Sequence, residues 1–246
     1  MPYRFLADVW PIVCRLPQLI PSTCALCSSE GCNLLCTACE QRFFTQPCPR
    51  CPQCGLQTNA ADQHRACGHC LKTLPDYDAT IVATDYVAPI DQAILALKFG
   101  HRLAIAPLLA RLLHDALLRT PNLALPDVLI AVPLSPQRLA ERGFNQSLEI
   151  ARPLARATGM LLDTHLLQRT RDTAMQTSLP LAERQRNMRH AFVPDARSVE
   201  RIRGRHIAVL DDVLTTGSTL NAIAGVLKRH GAQRVTNLVV ARTPAR

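Results

Sequence analysis

HIAVLDDVLTTGSTL, residues 206–220, sets two adjacent carboxylates between an apolar run and an uncharged tract of hydroxyls and glycine. Ile207 to Leu210 predicts a buried strand ending at Asp211-Asp212. Neighbouring side chains in a strand point to opposite faces. That rule relaxes at a strand's end, so both carboxylates can reach one crevice. There they can accept hydrogen bonds from sugar hydroxyls or hold a hydrated Mg²⁺. Thr215-Thr216-Gly217-Ser218-Thr219 then opens onto a helix N-terminus. Free backbone N–H groups, hydroxyls and the helix dipole make such a turn a phosphate site, and Gly217 lets the backbone come close. An N-capped helix after an ordinary turn accounts equally well for the tract alone. The strand and the two aspartates before it favour the anion site. One short segment thus offers a ribose clamp and a 5′-phosphate cradle.

Outward from this stretch, strand-like and helix-like runs alternate. Strands are expected over Thr80–Tyr86, Asp127–Val132, Ile207–Leu210 and Val235–Val240. Helices are expected over Asp91–Leu97, Leu103–Leu118, Gln146–Thr158 (with Pro153 as a kink point) and Ser218–His230, the last closed by Gly231. Apolar strands alternating with helices indicate an α/β fold with a doubly wound parallel sheet covered on both faces. Ligands bind such sheets at the carboxyl ends of the strands.

All eleven cysteines precede residue 71. Composition therefore divides the chain into an arm at 1–22, a cysteine-rich region at 23–75 and an α/β domain at 76–246. Four CxxC turns, Cys24/Cys27, Cys36/Cys39, Cys51/Cys54 and Cys67/Cys70, have the spacing at which two turns complete a tetrahedral thiolate site. One or two structural zinc ions follow, and they would supply folding free energy that so small a region lacks. Cys48-Pro-Arg-Cys51 overlaps the third turn, so the ligand pair could slip, and sequential or interleaved pairing is open. Cys14 and Cys32 read as bystanders; His64 and His69 lie close enough to substitute as ligands but read first as ordinary surface histidines.

The 246 residues carry a formal net charge of +9, which favours acidic partners such as phosphates or nucleic acid. No run approaches the roughly 20 apolar residues of a membrane span, and the N-terminus lacks the order of a secretory signal. A cytoplasmic protein is expected, with peripheral membrane contact through the arm left open.

VLDDVLTTGST is similar to the phosphoribosyl-pyrophosphate (PRPP) signature of type I phosphoribosyltransferases. The CxxC turns, LKFG (97–100), VPLSPQRLAERGFNQS (132–147) and QTSLPLAERQRNMRHAF (176–192) occur in an order that resembles the ComF family. The resemblance spans nearly the whole chain. It implies that Asp211 and Asp212 face the ribose and are the candidate catalytic residues. It also implies that Val213, Leu214, Thr215, Thr216, Gly217, Ser218 and Thr219 complete the PRPP loop. Arg138 and Arg142 would meet the pyrophosphate, where a guanidinium fork matches phosphate oxygens. Lys98 would add a second cationic contact alongside Mg²⁺.

Nine arginines, four acidic residues and no lysine lie between Gln168 and Arg205. This segment is expected to form a hood over the crevice or to track a nucleic-acid backbone. Arg142, Asn145, Arg184, Arg186 and Arg189 are the nucleic-acid candidates. Three functions are compatible with the residues. One is a ComF-type PRPP-binding factor in DNA uptake that contacts single-stranded DNA and the uptake or recombination machinery. The second is an active Mg²⁺-dependent phosphoribosyltransferase with an unknown nitrogen nucleophile. The third is a zinc-dependent module that senses PRPP.

Overall fold

The computed structural model describes residues 22–31, 35–44, 48–59, 62, 65–170, 191–195 and 198–244. The chain forms two compact units, Met1–Pro47 and Cys48–Arg246. Packing thus divides the chain at a different place from composition. Residues 48–75 share the cysteine content of the first unit but pack with the sheet of the second. Thr80 shows why: its N–H donates to the Pro52 carbonyl (2.9 Å) and its hydroxyl to that of Gln53 (2.6 Å). All of the predicted arm except Ser22 lies outside the described residues, as do Cys14, Cys32 and His64.

In the first unit, β1 (Ser22–Thr23) pairs antiparallel with β2 (Glu30–Gly31), and α1 (Thr37–Phe44) follows. Cys39 on α1 is buried, as are Cys24 and Leu35.

The second unit begins with the short helix α2 (Gly68–Lys72), then β3 (Ala79–Asp85), α3 (Ile90–Phe99), a 3-10 turn (Leu103–Ile105) and α4 (Ala106–Arg119). β4 (Val128–Ala131), α5 (Pro136–Arg142), α6 (Gln146–Thr158) and β5 (Leu161–Leu162) come next. A small antiparallel ribbon pairs β6 (Leu167–Arg169) with β7 (Phe192–Pro194). The chain ends with α7 (Val199–Ile202), β8 (His206–Leu214), α8 (Ser218–Arg229) and β9 (Arg234–Arg242).

Five strands form one all-parallel sheet in the order β3-β9-β8-β4-β5. On one face, Ile207 and Val209 of β8 join Leu220, Ile223 and Leu227 of α8 in the core. Fully burying side chains of this kind contributes about 1.5–3 kcal/mol each. On the sheet's other helical layer, α4 packs on α6 and β3, and α6 on β4 and β8. From β4 the chain winds outward through α6 to β5. From β8 it winds the opposite way through α8 to β9. The carboxyl ends of β4 and β8 therefore flank the point where strand order reverses, the place where open α/β sheets bind ligands.

Three expectations need correction. β8 does not end at the aspartates but continues through them to Leu214, because β9 goes on pairing with it (Asp211 with Val239, Leu214 with Arg242). Between the strand expected over 127–132 and the helix expected over 146–158, where no element was expected, lies a further helix. Ser135 caps α5, Pro136 occupies its first turn, and Gly143 ends it at φ +79°, the pattern that starts and stops a short helix. Finally, the single helix expected over 103–118 is a 3-10 turn followed by α4. Pro107 lies in the first turn of α4, where a missing N–H costs nothing. α6 passes through Pro153 unbroken.

Candidate functional site

β4 stops at Ala131, opposite Leu210. Asp211 to Leu214 therefore project beyond it with no partner on that side, and the N-terminus of α6 fills the space. The alternation of a strand persists there: Leu210, Asp212 and Leu214 are buried, Asp211 and Val213 partly exposed. Both carboxylates nevertheless line one cavity of about 660 Å³, together with Lys98, Arg138, Arg142 and Gln146.

Each carboxylate is held by its own residue of α6. The Ser147 hydroxyl donates to Asp211 Oδ1 (3.2 Å), which also accepts the Asp212 N–H (3.0 Å). Gln146 Nε2 donates to Asp212 Oδ1 (3.0 Å), and the amide oxygen of Gln146 accepts from Arg142. The other oxygen of Asp212 forms an ion pair with Lys98, the last basic residue of α3. A polar chain thus runs Arg142–Gln146–Asp212–Lys98. Desolvation, followed by the negative charge of Asp212, pushes the Asp211 carboxyl up to about 8 against the opposing pull of Lys98.

Asn145 is engaged structurally: its side-chain oxygen caps α6 by accepting from the N–H groups of Ser147 (3.0 Å) and Leu148 (3.3 Å), and its Nδ2 donates to the Val132 carbonyl (3.0 Å). This ties the end of β4 to the start of α6 and so fixes Gln146 and Ser147.

Beyond β8, Thr215, Thr216 and Ser218 are exposed, and Thr219 lines the cavity. Gly217 is the N-cap of α8, at φ +83°, and no side chain caps that helix. The Ser218 N–H leans on the Thr216 hydroxyl (3.4 Å), and the next N–H groups of α8 remain available to an anion at the cavity's edge. Val213 faces the cavity, whereas the Leu214 side chain sits in the core.

Several lining residues have no role assigned from the sequence. Phe99 is 66% exposed, with the Arg142 guanidinium 5.2 Å from its ring centroid. His101 meets Phe144 edge-to-face at 5.7 Å. Arg169 also lines the cavity and stacks on Phe192. Gln146 and Ser147 are the most instructive omissions. Their position just after an Asn cap, at the carboxyl edge of the sheet, is the signal that finds them. Arg184, Arg186 and Arg189 lie outside the described residues.

The cysteines form two groups, Cys24/Cys27/Cys36/Cys39 and Cys51/Cys54/Cys67/Cys70, in each of which all four sulfurs lie within 4.8 Å of one another. Pairing is therefore sequential, and Cys48, exposed, belongs to neither group. A tetrahedral Zn–S₄ centre with bonds near 2.3 Å has sulfur–sulfur edges of about 3.8 Å. The Cys27–Cys36 and Cys54–Cys67 sulfurs are 3.7 and 3.6 Å apart. Burial alone would raise the thiol of Cys24, but the N–H groups of Cys36, Cys27 and Leu26 outweigh it and lower it to about 6. Cys67 is likewise lowered, to about 7, by the Cys70 N–H against its burial. Burial and neighbouring sulfurs push Cys39 up to about 12. Burial pushes Cys54 to about 11, with the Cys51 sulfur adding to it. Four sulfurs cannot all ionise together without a cation, and a divalent ion removes that obstacle. Both groups could hold a metal ion, and zinc suits their donors and spacing.

No helix among the described residues is long and apolar enough to cross a membrane.

Comparison with known proteins agrees with this architecture. Residues 145–246 match the model of the phosphoribosyl transferase domain. The DNA utilization protein YhgH of Escherichia coli K12 is 39% identical over 91% of this chain and 98% of its own length. Competence protein F of Haemophilus influenzae is 34% identical over 82% of this chain and 88% of its own. Competence protein ComFC of Streptococcus pneumoniae is 26% identical over 85% and 88%.

Proposed function

The chain belongs to the ComF family of DNA utilization and competence proteins, and from that membership we propose that its cavity binds PRPP and that the protein handles single-stranded DNA. Asp211 and Asp212 would accept hydrogen bonds from the ribose hydroxyls. Thr215 to Thr219 and the uncapped start of α8 would hold the 5′-phosphate. The observation that carries this reading is the convergence of Asp211, Asp212, Lys98, Arg138 and Arg142 on one cavity that also borders that helix N-terminus. Carboxylates alone would repel a polyphosphate, and cations alone would not select its sugar. A pentose with phosphates at both ends needs both.

Arg138 and Arg142, one helical turn apart on the side of α5 that lines the cavity, suit the pyrophosphate. Lys98 would leave Asp212 to join them as the ligand's negative charge arrives. The carboxylates and the ligand's own oxygens are hard donors that suit Mg²⁺, whose charge would offset that of the pyrophosphate.

Arg142 also carries the nucleic-acid reading. Its guanidinium lies over the exposed ring of Phe99. A cation and an exposed aromatic side by side offer a phosphate contact and a stacking face for an unpaired base. The named functions of the relatives favour DNA over a free base as the partner.

A second reading, phosphoribosyl transfer, is favoured by the place of Asp211 in the cavity lining: its carboxyl, held above the ordinary carboxylate range by desolvation and by the charge of Asp212, could in its ionised form take a proton from an attacking nitrogen. In that step the nitrogen would bond to the anomeric carbon and pyrophosphate would leave with the electrons of the broken C–O bond. Regulatory sensing of PRPP requires binding without that step.

Calorimetry with PRPP and Mg²⁺, repeated with a single-stranded oligonucleotide present, tests the reading. PRPP should bind the wild-type chain and not Asp211→Asn/Asp212→Asn, with the oligonucleotide shifting its affinity. Equal affinity in both chains would remove the ribose assignment. Pyrophosphate release in the presence of a nitrogen base would establish the transferase.

A further inference from the structure

Arg242, the last residue of β9, is 8% exposed. Every hydrogen bond it makes among the described residues goes to a neutral oxygen. Its Nε donates to the Cys54 carbonyl (3.3 Å). Its Nη1 donates to the carbonyls of Leu214 (2.9 Å) and Thr215 and to the hydroxyl of Thr243 (3.0 Å). Cys54 belongs to the second sulfur group. Leu214 ends β8, and Thr215 begins the tract that leads into α8. One planar guanidinium therefore joins the backbone of a metal-ligand turn to the backbone at the root of the phosphate loop.

Tyr77 makes the same connection by a second route. Its carbonyl accepts from Nε2 of Gln53, inside the Cys51–Cys54 turn (2.5 Å). Its buried ring ends in a hydroxyl that would lie 3.4 Å from a Cβ placed on Gly217. The turn itself cannot shift independently of the sheet. Thr80 holds the carbonyls of Pro52 and Gln53, and a Cβ on Gly55 would lie 2.4 Å from the Val82 side chain. Displacement of the turn would thus pass through Arg242 and Tyr77 to the loop. A guanidinium holds several acceptors at fixed angles, which a flexible ammonium does not.

We propose that the Cys51/Cys54/Cys67/Cys70 centre supports the phosphate loop, and that Arg242 is the positioning residue through which metal occupancy sets the backbone of 214–219. The functional half of this statement rests on the reading of that loop as the PRPP site. Coupling between two sites is reciprocal. Metal in the second centre should tighten ligand binding, and bound ligand should retain the metal by the same factor.

The experiment uses the full chain carrying Cys24→Ser/Cys27→Ser, which leaves metal only in the second centre. Hydrogen exchange of the 214–220 backbone is followed as zinc is extracted by a chelator. Zinc release is then timed with and without PRPP and Mg²⁺. Extraction should speed exchange at 214–220 by about fivefold or more, and PRPP should raise the zinc affinity by a similar factor, the range typical of coupled sites. In Arg242→Lys, which keeps the charge and lacks the fork, zinc stoichiometry should be unchanged and both effects should fall. Exchange indifferent to the metal where Arg242 is retained would overturn the support role, and full coupling in Arg242→Lys would overturn the role of Arg242. If exchange responds to metal while calorimetry finds no PRPP binding, the structural coupling stands and the ligand reading falls.

Discussion

Lys98 and Asp212 meet as an ion pair in the cavity, with the aspartate side chain 4% exposed and the lysine 19%. They come from opposite ends of the domain's sequence, the end of α3 and the middle of β8. The pair explains how a buried carboxylate is tolerated before any ligand arrives. Its cation, on a long unbranched stem, can also swing towards an incoming phosphate.

Removal of the lysine should therefore cost more than an ordinary surface change. Lys98→Met leaves Asp212 buried without its counter-charge, a loss of about 3 kcal/mol. Lys98→Met/Asp212→Asn should recover most of it, and urea unfolding of the four proteins of that cycle isolates the coupling. Strict additivity of the two single changes would show that the pair adds no stability.

The raised Asp211 carboxyl gives a pH signature. An unperturbed aspartate titrates near about 3.9, whereas Asp211 in the folded chain is raised to about 8. The folded state then binds the proton more tightly than the unfolded one. Its contribution is fully present below about pH 4 and is lost as pH rises through about 8. Asp212 and Lys98 face it, and Ser147 bonds it, so the slope belongs to this cluster. Asp211→Asn should show a shallower decline in stability between pH 5 and pH 8, measured by denaturation at each pH. Parallel curves for the two proteins would remove Asp211 as the source.

Much of this site was legible in the sequence because its groups are contiguous. Asp211 to Thr219 occupy one segment, and a strand, two acids and a glycine turn leave a local trace. Of the partners of those acids, Lys98 was legible through its motif, whereas the tie of Gln146 and Ser147 to the carboxylates was not. Gln146 and Ser147 reach Asp212 and Asp211 because β4 stops at Ala131 while β8 continues. Strand lengths in a parallel sheet depend on which strand neighbours which, and one strand's residues do not record that. Arg242 was invisible for the same reason: at the end of an apolar strand it reads as a solvated terminus, yet Cys54, Leu214 and Thr243 enclose it. The CxxC spacing gave both sulfur groups their members, but pairing and the role of Cys48 needed three-dimensional positions.

Those positions make the metal content predictable by site. Cys48→Ser should keep the wild-type chain's complement of metal ions, since its thiol is exposed and apart from either group. Cys54→Ser should lose one and lower the melting temperature, because metal free energy there is folding free energy. Metal analysis of purified protein distinguishes the two. Loss of a zinc ion from Cys48→Ser would mean that the ligand set slips by one turn.

DNA binding, if it runs through Arg142, has an electrostatic fingerprint. The logarithm of the affinity for a single-stranded oligonucleotide should fall linearly with the logarithm of salt concentration. Arg142→Gln should reduce that slope by about 0.7, the value for one phosphate contact on a single strand. Phe99→Ala should weaken binding without changing the slope, since stacking releases no counterions. An unchanged slope in Arg142→Gln would place the phosphate contacts elsewhere.

Gly217 offers the sharpest separation of binding from folding. Its φ of +83° sets the first N–H groups of α8 at the cavity's edge. For an alanine that conformation costs about 1–2 kcal/mol. A Cβ there would sit 3.4 Å from the Tyr77 hydroxyl and 3.5 Å from Leu214 Cδ1, contacts that the packing can nearly accommodate. Gly217→Ala should thus fold with a modest loss of stability. Relief of the strain at positive φ should turn the peptide and misdirect the N–H groups. PRPP affinity should fall at least about tenfold, more than the stability change alone accounts for. Gly217→Asn, whose side chain tolerates positive φ better, should lie between the two. Calorimetry beside thermal melts measures both quantities on the same samples. Affinity that stays at the wild-type value in Gly217→Ala would mean that the phosphate is held by the hydroxyls of 215–219 rather than by the backbone at the start of α8.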